Sequence, residues 1–180
     1  MKSAAFGEAN KYFFIFTKEF GLIKASAQSV RRLPSKLRYG LEDFSLAQVS
    51  VVRGKEIWRL TSAEKRLKIE RGEKLLLLSR IFSLLLRLLH GEEKNDRLFD
   101  GLKEGMYFLE KSGLTEENLV SFECIMALRI LSALGYIGQL GDFDQFTVSL
   151  YFTSELLTQM SALKTRAILE INKSLKETHL

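Results

Sequence analysis

The sequence predicts an α+β protein in which a small curled β-barrel precedes a helical bundle. Three observations carry this reading. Residues 1–70 contain short aromatic and β-branched runs bounded by turn residues. From about Ala63 onward, apolar residues recur at helical spacing instead. The charge is also split: residues 1–70 hold 14 Lys and Arg against 7 Asp and Glu, a net +7, whereas residues 71–180 hold 13 against 15, a net −2. The chain of 180 residues therefore reads as a basic domain, residues 1–66, joined to a near-neutral one, residues 67–180.

Within the basic part, Tyr12–Thr17 reads as a strand, Lys18-Glu19-Phe20-Gly21 as a turn and Leu22–Ala27 as the returning strand. A loop from Gln28 to Gly40 contains Pro34, the one proline. Phe44–Val51 and Glu56–Thr61 then alternate apolar and polar residues, as half-buried strands do, with Arg53-Gly54-Lys55 as the turn between them. Several short antiparallel strands with one apolar face are best satisfied by curling into a barrel.

The helical part opens with Glu73–His90, whose polar residues Arg80, Ser83, Arg87 and His90 fall on one stripe. Leu98, Phe99, Leu102, Met106 and Leu109 mark a second helix, with Asn95 or Asp96 as N-cap and Gly113 as its stop. Thr115 caps a third, with Glu116 and Glu117 where the helix dipole favours acids, and Gly135 ends it. Gly135–Asp144 reads as a loop, and Phe146–Phe152 as a strand or an extended cover segment. Thr153 opens a last helical stretch to about Glu177, with Ala162 as the place a break would fall.

Composition excludes several classes. Thirteen phenylalanines argue against disorder. One cysteine, Cys124, rules out a disulfide framework, fits a reducing compartment and reads as a small buried hydrophobe. With only His90 and His179 beside it, a thiolate zinc site is not expected. Met1–Asn10 lacks an apolar signal region, so a cytoplasmic location is expected. Two arginines inside Glu73–His90 argue against a membrane span. Glu8, Glu42 and Asp43 are too scattered to form an acid–base pair, and Gly135-x-x-Gly138-x-x-Gly141 lacks the strand a phosphate loop needs, so an enzyme is not expected.

The segment Lys24–Arg38 carries Lys24, Arg31, Arg32, Lys36 and Arg38 and no acid, and the second hairpin adds Arg53, Lys55 and Arg59. Several cations along one track are what phosphate neutralisation requires. Tyr39, Phe44 and Trp58 are candidate stacking faces for single-stranded bases, though Phe44 and Trp58 are also natural core residues. A solvated charge run is the bland alternative for the cations. For the leucines of Leu75–Leu89 the choice lies between plain core and the wall of an apolar groove for a partner's segment.

The chain resembles the RecO family of DNA repair proteins. The resemblance rests on Phe6-Gly7-Glu8-Ala9-Asn10, Phe16–Ile23, Ala27–Arg32, Ser35–Ser45 and Arg53–Glu64, with weaker similarity over Glu123–Tyr136 and Ile171–Leu180. It implies an N-terminal OB-fold and a C-terminal helical domain. It further implies binding of single- and double-stranded DNA, strand annealing and loading of the recombinase RecA. The partners implied are RecR and the acidic, apolar C-terminal tail of single-strand-binding protein. The DNA contacts carried over are Arg31, Arg32, Lys36 and Arg38. Two departures stand out. Many relatives carry a four-cysteine zinc module after the position of Gly135-Tyr136, where this chain has Ile137–Phe152 and no cysteine. Relatives also have a fuller first strand than Met1–Ala5, which predicts a weak first strand and an exposed edge.

The expected function is a non-enzymatic recombination mediator. The alternatives are a protein-interaction adaptor with an OB scaffold and a generic RNA-binding OB protein.

Overall fold

A computed structural model describes residues 2–6, 10–28, 30, 37–70, 72–138 and 141–177. The chain divides into two compact units, one of residues 1–70 with His90–Lys94, the other of Arg71–Leu89 with Asn95–Leu180.

The first unit is a five-stranded sheet. Its strands are β1 (Lys2–Phe6), β2 (Asn10–Thr17), β3 (Gly21–Ala27), β4 (Ser45–Arg53) and β5 (Trp58–Lys68), with a single helical turn, α1 (Leu37–Gly40), before β4. The order is β1-β2-β3-β5-β4. All pairings are antiparallel except β3 with β5, where Ala25 lies beside Trp58 and Ser26 beside Arg59. That is the order of the five-stranded, partly open Greek-key barrel of OB-folds. Among the described residues no ladder joins β1 to β4, so the sheet curls without closing.

Period-two alternation builds the core. Phe13 and Ile15 of β2, Ile23, Ala25 and Ala27 of β3, and Trp58 and Leu60 of β5 point inward with Val30 and Leu41. The β2–β3 turn is tied by Thr17, whose hydroxyl donates to the Gly21 carbonyl and accepts the Phe20 N–H, both at 3.0 Å. Gly21 is required twice over. Its φ is +67°, and a Cβ there would lie 2.1 Å from the Glu93 carbonyl oxygen.

The change of period expected at Ala63 does not occur there, because β5 continues to Lys68. Two irregularities in the β4–β5 register leave Thr61 and Arg66 without an opposite residue. Each bulge adds one residue, so the inward Leu60, Ala63 and Leu67 fall at i, i+3 and i+7 along a strand. A bulged strand thus imitates helical spacing. The hairpin turn is also longer than Arg53-Gly54-Lys55: Gly54 donates to the Ile57 carbonyl at 3.1 Å, and β5 begins at Trp58.

The second unit comprises α2 (Glu73–Leu88), α3 (Asp96–Lys111), α4 (Glu116–Ala133), a 3₁₀ turn at Gly141–Phe143, α5 (Asp144–Val148) and α6 (Ser154–Glu177). The caps follow the sequence. The Asn95 side chain accepts from Leu98 N–H and that of Thr115 from Asn118 N–H. α3 stops at Lys111, two residues before Gly113, because Ser112 turns extended. Gly135, at φ +75°, lets Tyr136 N–H reach the Leu131 carbonyl and close α4. On α2 the stripe Arg80, Ser83 and Arg87 is exposed, while Leu77, Leu78, Ile81, Phe82, Leu85 and Leu88 are buried. α6 runs through Ala162 without a break. Among the described residues no helix is long and apolar enough to cross a membrane.

Phe146–Phe152 is not a strand. It begins in α5 and continues as extended chain with Phe146 and Phe152 buried. Among the described residues no strand of this unit offers it a ladder, so its carbonyls need another donor. Arg129 of α4 supplies it: Nε donates to Phe146 O at 2.8 Å, Nη1 to Leu150 O at 2.9 Å and Nη2 to Tyr151 O at 3.1 Å. The guanidinium also lies 4.1 Å from the Phe152 ring centre. Burial, aided by the charge of Arg97, pulls the Arg129 pKa down to about 10.

Two outcomes follow. Arg129→Ala leaves three carbonyls without their donor and should lower the urea-unfolding free energy by about 3 kcal/mol, with little recovery in Arg129→Lys because an ammonium cannot fork. Cys124 is buried on α4, and burial, with the nearby Glu123 charge, pushes its thiol up to about 11. At pH 8 a disulfide reagent should therefore modify it roughly a hundredfold more slowly than a free thiol, and at the ordinary rate in denaturant.

Candidate nucleic-acid interface

The β2 run Tyr12–Phe16 is apolar on both faces of the sheet. Phe13 and Ile15 fill the core, and Tyr12, Phe14 and Phe16, half-buried, lie on the opposite face. Register brings Lys2 and Lys24 to either side of Phe14, and Ser26 and Ala4 to either side of Tyr12. The Lys24 ammonium sits 4.7 Å from the Tyr12 ring centre. The parallel pairing then sets Arg59 beside Ser26 on the same face. Three aromatic rings flanked by cations are the two components a single-strand platform needs, π-faces and phosphate partners.

Some cations of this unit are already paired and others are not. Lys65 and Lys68 both reach Glu42, at 3.0 and 2.5 Å, and they hold its carboxyl below the usual range, Lys68 more than Lys65. Arg66 pairs with Glu64 at 2.9 Å. Arg53 pairs with Glu92 and lies 4.9 Å from the Trp58 ring centre. By contrast, Lys24, Lys55 and Arg59 are exposed and form no ion pair with any described residue. A compensated cation has little charge left for phosphate, so the unpaired ones dominate the local field.

Of the sequence-predicted contacts, Lys24, Lys55 and Arg59 thus stand uncompensated, and Arg53 is partnered. Arg31, Arg32 and Lys36 lie outside the described residues, and Arg38 lies in α1 with its side chain likewise outside them. Among the stacking candidates, Tyr39 is 72% exposed and Phe44 half-buried, while Trp58 is buried at 9%. The Trp58 ring packs on Phe20 with centroids 4.7 Å apart and planes tilted by 37°, and its Nε1–H donates to Glu92 at 2.8 Å, so it is tied into the core. Tyr12, Phe14 and Phe16 were not among the candidates. Their signal was an aromatic run without alternation, too apolar for a strand with one wet face.

In the helical unit, α2, α4 and α6 enclose an apolar groove of about 330 Å³ lined by Leu84, Val120, Cys124, Ile168 and Leu175 among others. Arg80 and Glu123 bridge its rim through two hydrogen bonds of 2.6 Å. Of the α2 leucines, Leu77, Leu78, Leu85 and Leu88 are core, Leu76 is exposed and Leu84 is groove wall.

Comparison with known proteins accounts for both units. Residues 1–66 match the family model of the recombination protein O N terminus, and residues 69–141 that of its C terminus. The chain is 30% identical over 144 residues to the DNA repair protein RecO of Rubrobacter xylanophilus, which covers 78% of this chain and 56% of that one. It is 27% identical over 145 residues to the RecO of Thermoanaerobacter sp., covering 78% and 57%. Over 58 residues, 32% of this chain and 23% of the relative, it is 41% identical to the RecO of Dehalococcoides mccartyi. The match thus spans about half the length of these relatives. With an OB-like sheet matched by one model of the family and helices by the other, the chain belongs to the RecO family.

Proposed function

We propose that this chain is a recombination mediator in DNA repair that binds single- and double-stranded DNA without catalysing a reaction. The observation that carries the reading is the uncompensated pair Lys24 and Arg59 on the face of the half-buried Tyr12, Phe14 and Phe16, with Lys55 exposed in the hairpin turn. Membership of a family whose relatives are named for DNA repair supports it.

The mechanism is electrostatic. Pairing of two strands is slowed by phosphate repulsion, and cations held on a rigid sheet lower it by neutralising both backbones at once. Arg31, Arg32, Lys36 and Arg38 extend the cation set in this reading. The aromatic face takes bases from a single strand, whose π-faces are free, and leaves a duplex to the cations alone. Annealing and RecA loading follow from holding strands in this way, with RecR and the tail of single-strand-binding protein as the protein partners. The helical groove of about 330 Å³ favours a second reading, an adaptor that takes an apolar peptide and uses the sheet only as scaffold.

Fluorescence anisotropy of a labelled single strand across a salt series separates the two. Replacing Lys24, Lys55 and Arg59 together by Ala should flatten the log–log salt slope by about 2, at roughly 0.7 per phosphate contact, and so should replacing Arg31, Arg32, Lys36 and Arg38, by up to about 3. Unchanged slopes in folded variants would move the site elsewhere, and no binding by the native chain would leave the adaptor reading in front. Phe14→Ala should weaken single-strand binding by about 1–3 kcal/mol at an unchanged salt slope and leave duplex binding alone.

A further inference from the structure

Glu92 occupies an unusual place. It lies between α2 and α3, yet His90–Lys94 belongs to the sheet unit, fitted so closely there that the Glu93 backbone leaves no room for a side chain at Gly21. One Glu92 carboxylate oxygen accepts the Trp58 indole N–H at 2.8 Å and the other accepts Arg53. The indole is buried and braced by Phe20, so its N–H has a fixed direction. The Arg53 guanidinium lies along the same ring.

We infer that Arg53 and the Trp58 N–H form an oxyanion receptor which the chain fills with its own Glu92 and which a phosphodiester of bound nucleic acid takes over when that carboxylate is withdrawn. A phosphodiester resembles the occupant in what the receptor reads: a single negative charge and two equivalent acceptor oxygens. The pair is half open to solvent, with 63% of the Arg53 and 39% of the Glu92 side chain exposed, and exposed ion pairs are weak enough to exchange. Lys55 lies in the turn that joins Arg53 to Trp58, so a phosphodiester drawn to that exposed ammonium arrives beside the receptor. Glu92 thereby subtracts one contact from the interface and makes its recovery depend on the segment joining α2 to α3. The role in DNA binding rests on the function proposed above; the receptor itself does not.

The test is a double-mutant cycle on single-strand binding, with thermal unfolding of each variant as the folding control. Glu92→Gln keeps an acceptor for Trp58 and removes the charge. It should tighten binding about fivefold at 0.1 M salt and steepen the salt slope by about 0.7, one added contact. Arg53→Ala should change little in the native chain and erase the gain when combined with Glu92→Gln. If the gain from Glu92→Gln persists once Arg53→Ala is added, the effect reduces to general charge, and no gain at all would equally overturn the receptor. A second readout is free of DNA. Trp58 is the one tryptophan, so its emission reports the receptor directly. Inorganic phosphate should shift it saturably in Glu92→Ala, and not in that variant carrying Arg53→Ala as well; no shift in Glu92→Ala overturns the inference. A phosphate response in a chain that binds no DNA would keep the receptor and sink only the DNA reading.

Discussion

The sheet depends on a seam two residues long. β1, β2 and β3 form one antiparallel meander and β4 and β5 one hairpin, and the ladder between them is the parallel pairing of Ala25 with Trp58 and Ser26 with Arg59. Hydrogen bonding alone makes so short a ladder weak. It holds because Ala25 is fully buried and small, which lets the Trp58 ring close over the core, and because the Ser26 hydroxyl reaches the Trp58 carbonyl. The same seam carries Arg59 to the face of Lys24 and Tyr12, and turns the Trp58 N–H toward Glu92. Core, candidate interface and internal carboxylate therefore share one residue pair.

The helical unit solves a different difficulty. The stretch after Gly135-Tyr136 contributes a short helix and an extended tail with, among the described residues, no strand beside it. One buried arginine gathers its carbonyls, Arg97 adds a bond to Thr147 O at 2.8 Å, and Phe108, Phe122 and Phe152 stack beneath with ring centres 4.6–6.1 Å apart. A guanidinium suits this work because its donors form a rigid planar fork. Among the described residues no carboxylate pairs with it, and carbonyl dipoles and a ring face take that part.

Electrostatics in the sheet unit is a matter of which cations are already answered. A net charge of +7 over residues 1–70 suggests a uniformly basic surface. The fold divides it: among the described residues Glu42 answers two lysines and Glu64 and Glu92 one arginine each, while Lys2, Lys11, Lys24, Lys55 and Arg59 enter no ion pair. Lys2 and Lys24 lie on either side of Phe14, and Arg59 shares their face across the seam, so part of the residual charge sits where the aromatic face is.

The sequence by itself determined the α+β class, the order sheet-then-helices, the first hairpin, the helix cap at Thr115, the cap at Asn95 to within one residue and the basic character of residues 1–70. These are local: period, turn chemistry and capping act over a few residues and leave their pattern in the chain. Only the tertiary structure decided the rest. The bulges at Thr61 and Arg66 hide a strand under helical spacing, because a two-residue period survives only while the ladder is regular. The Phe146–Phe152 run looks like a strand because it is apolar, but a strand needs a neighbour, and Arg129, seventeen residues away from Phe146, took that place. Trp58, read as a possible base-stacking ring, was claimed by the core. Arg53 and Glu92 are thirty-nine residues apart. No local pattern announces that one will cancel the other, since charge is written residue by residue while its compensation is set by which residues the fold brings within reach.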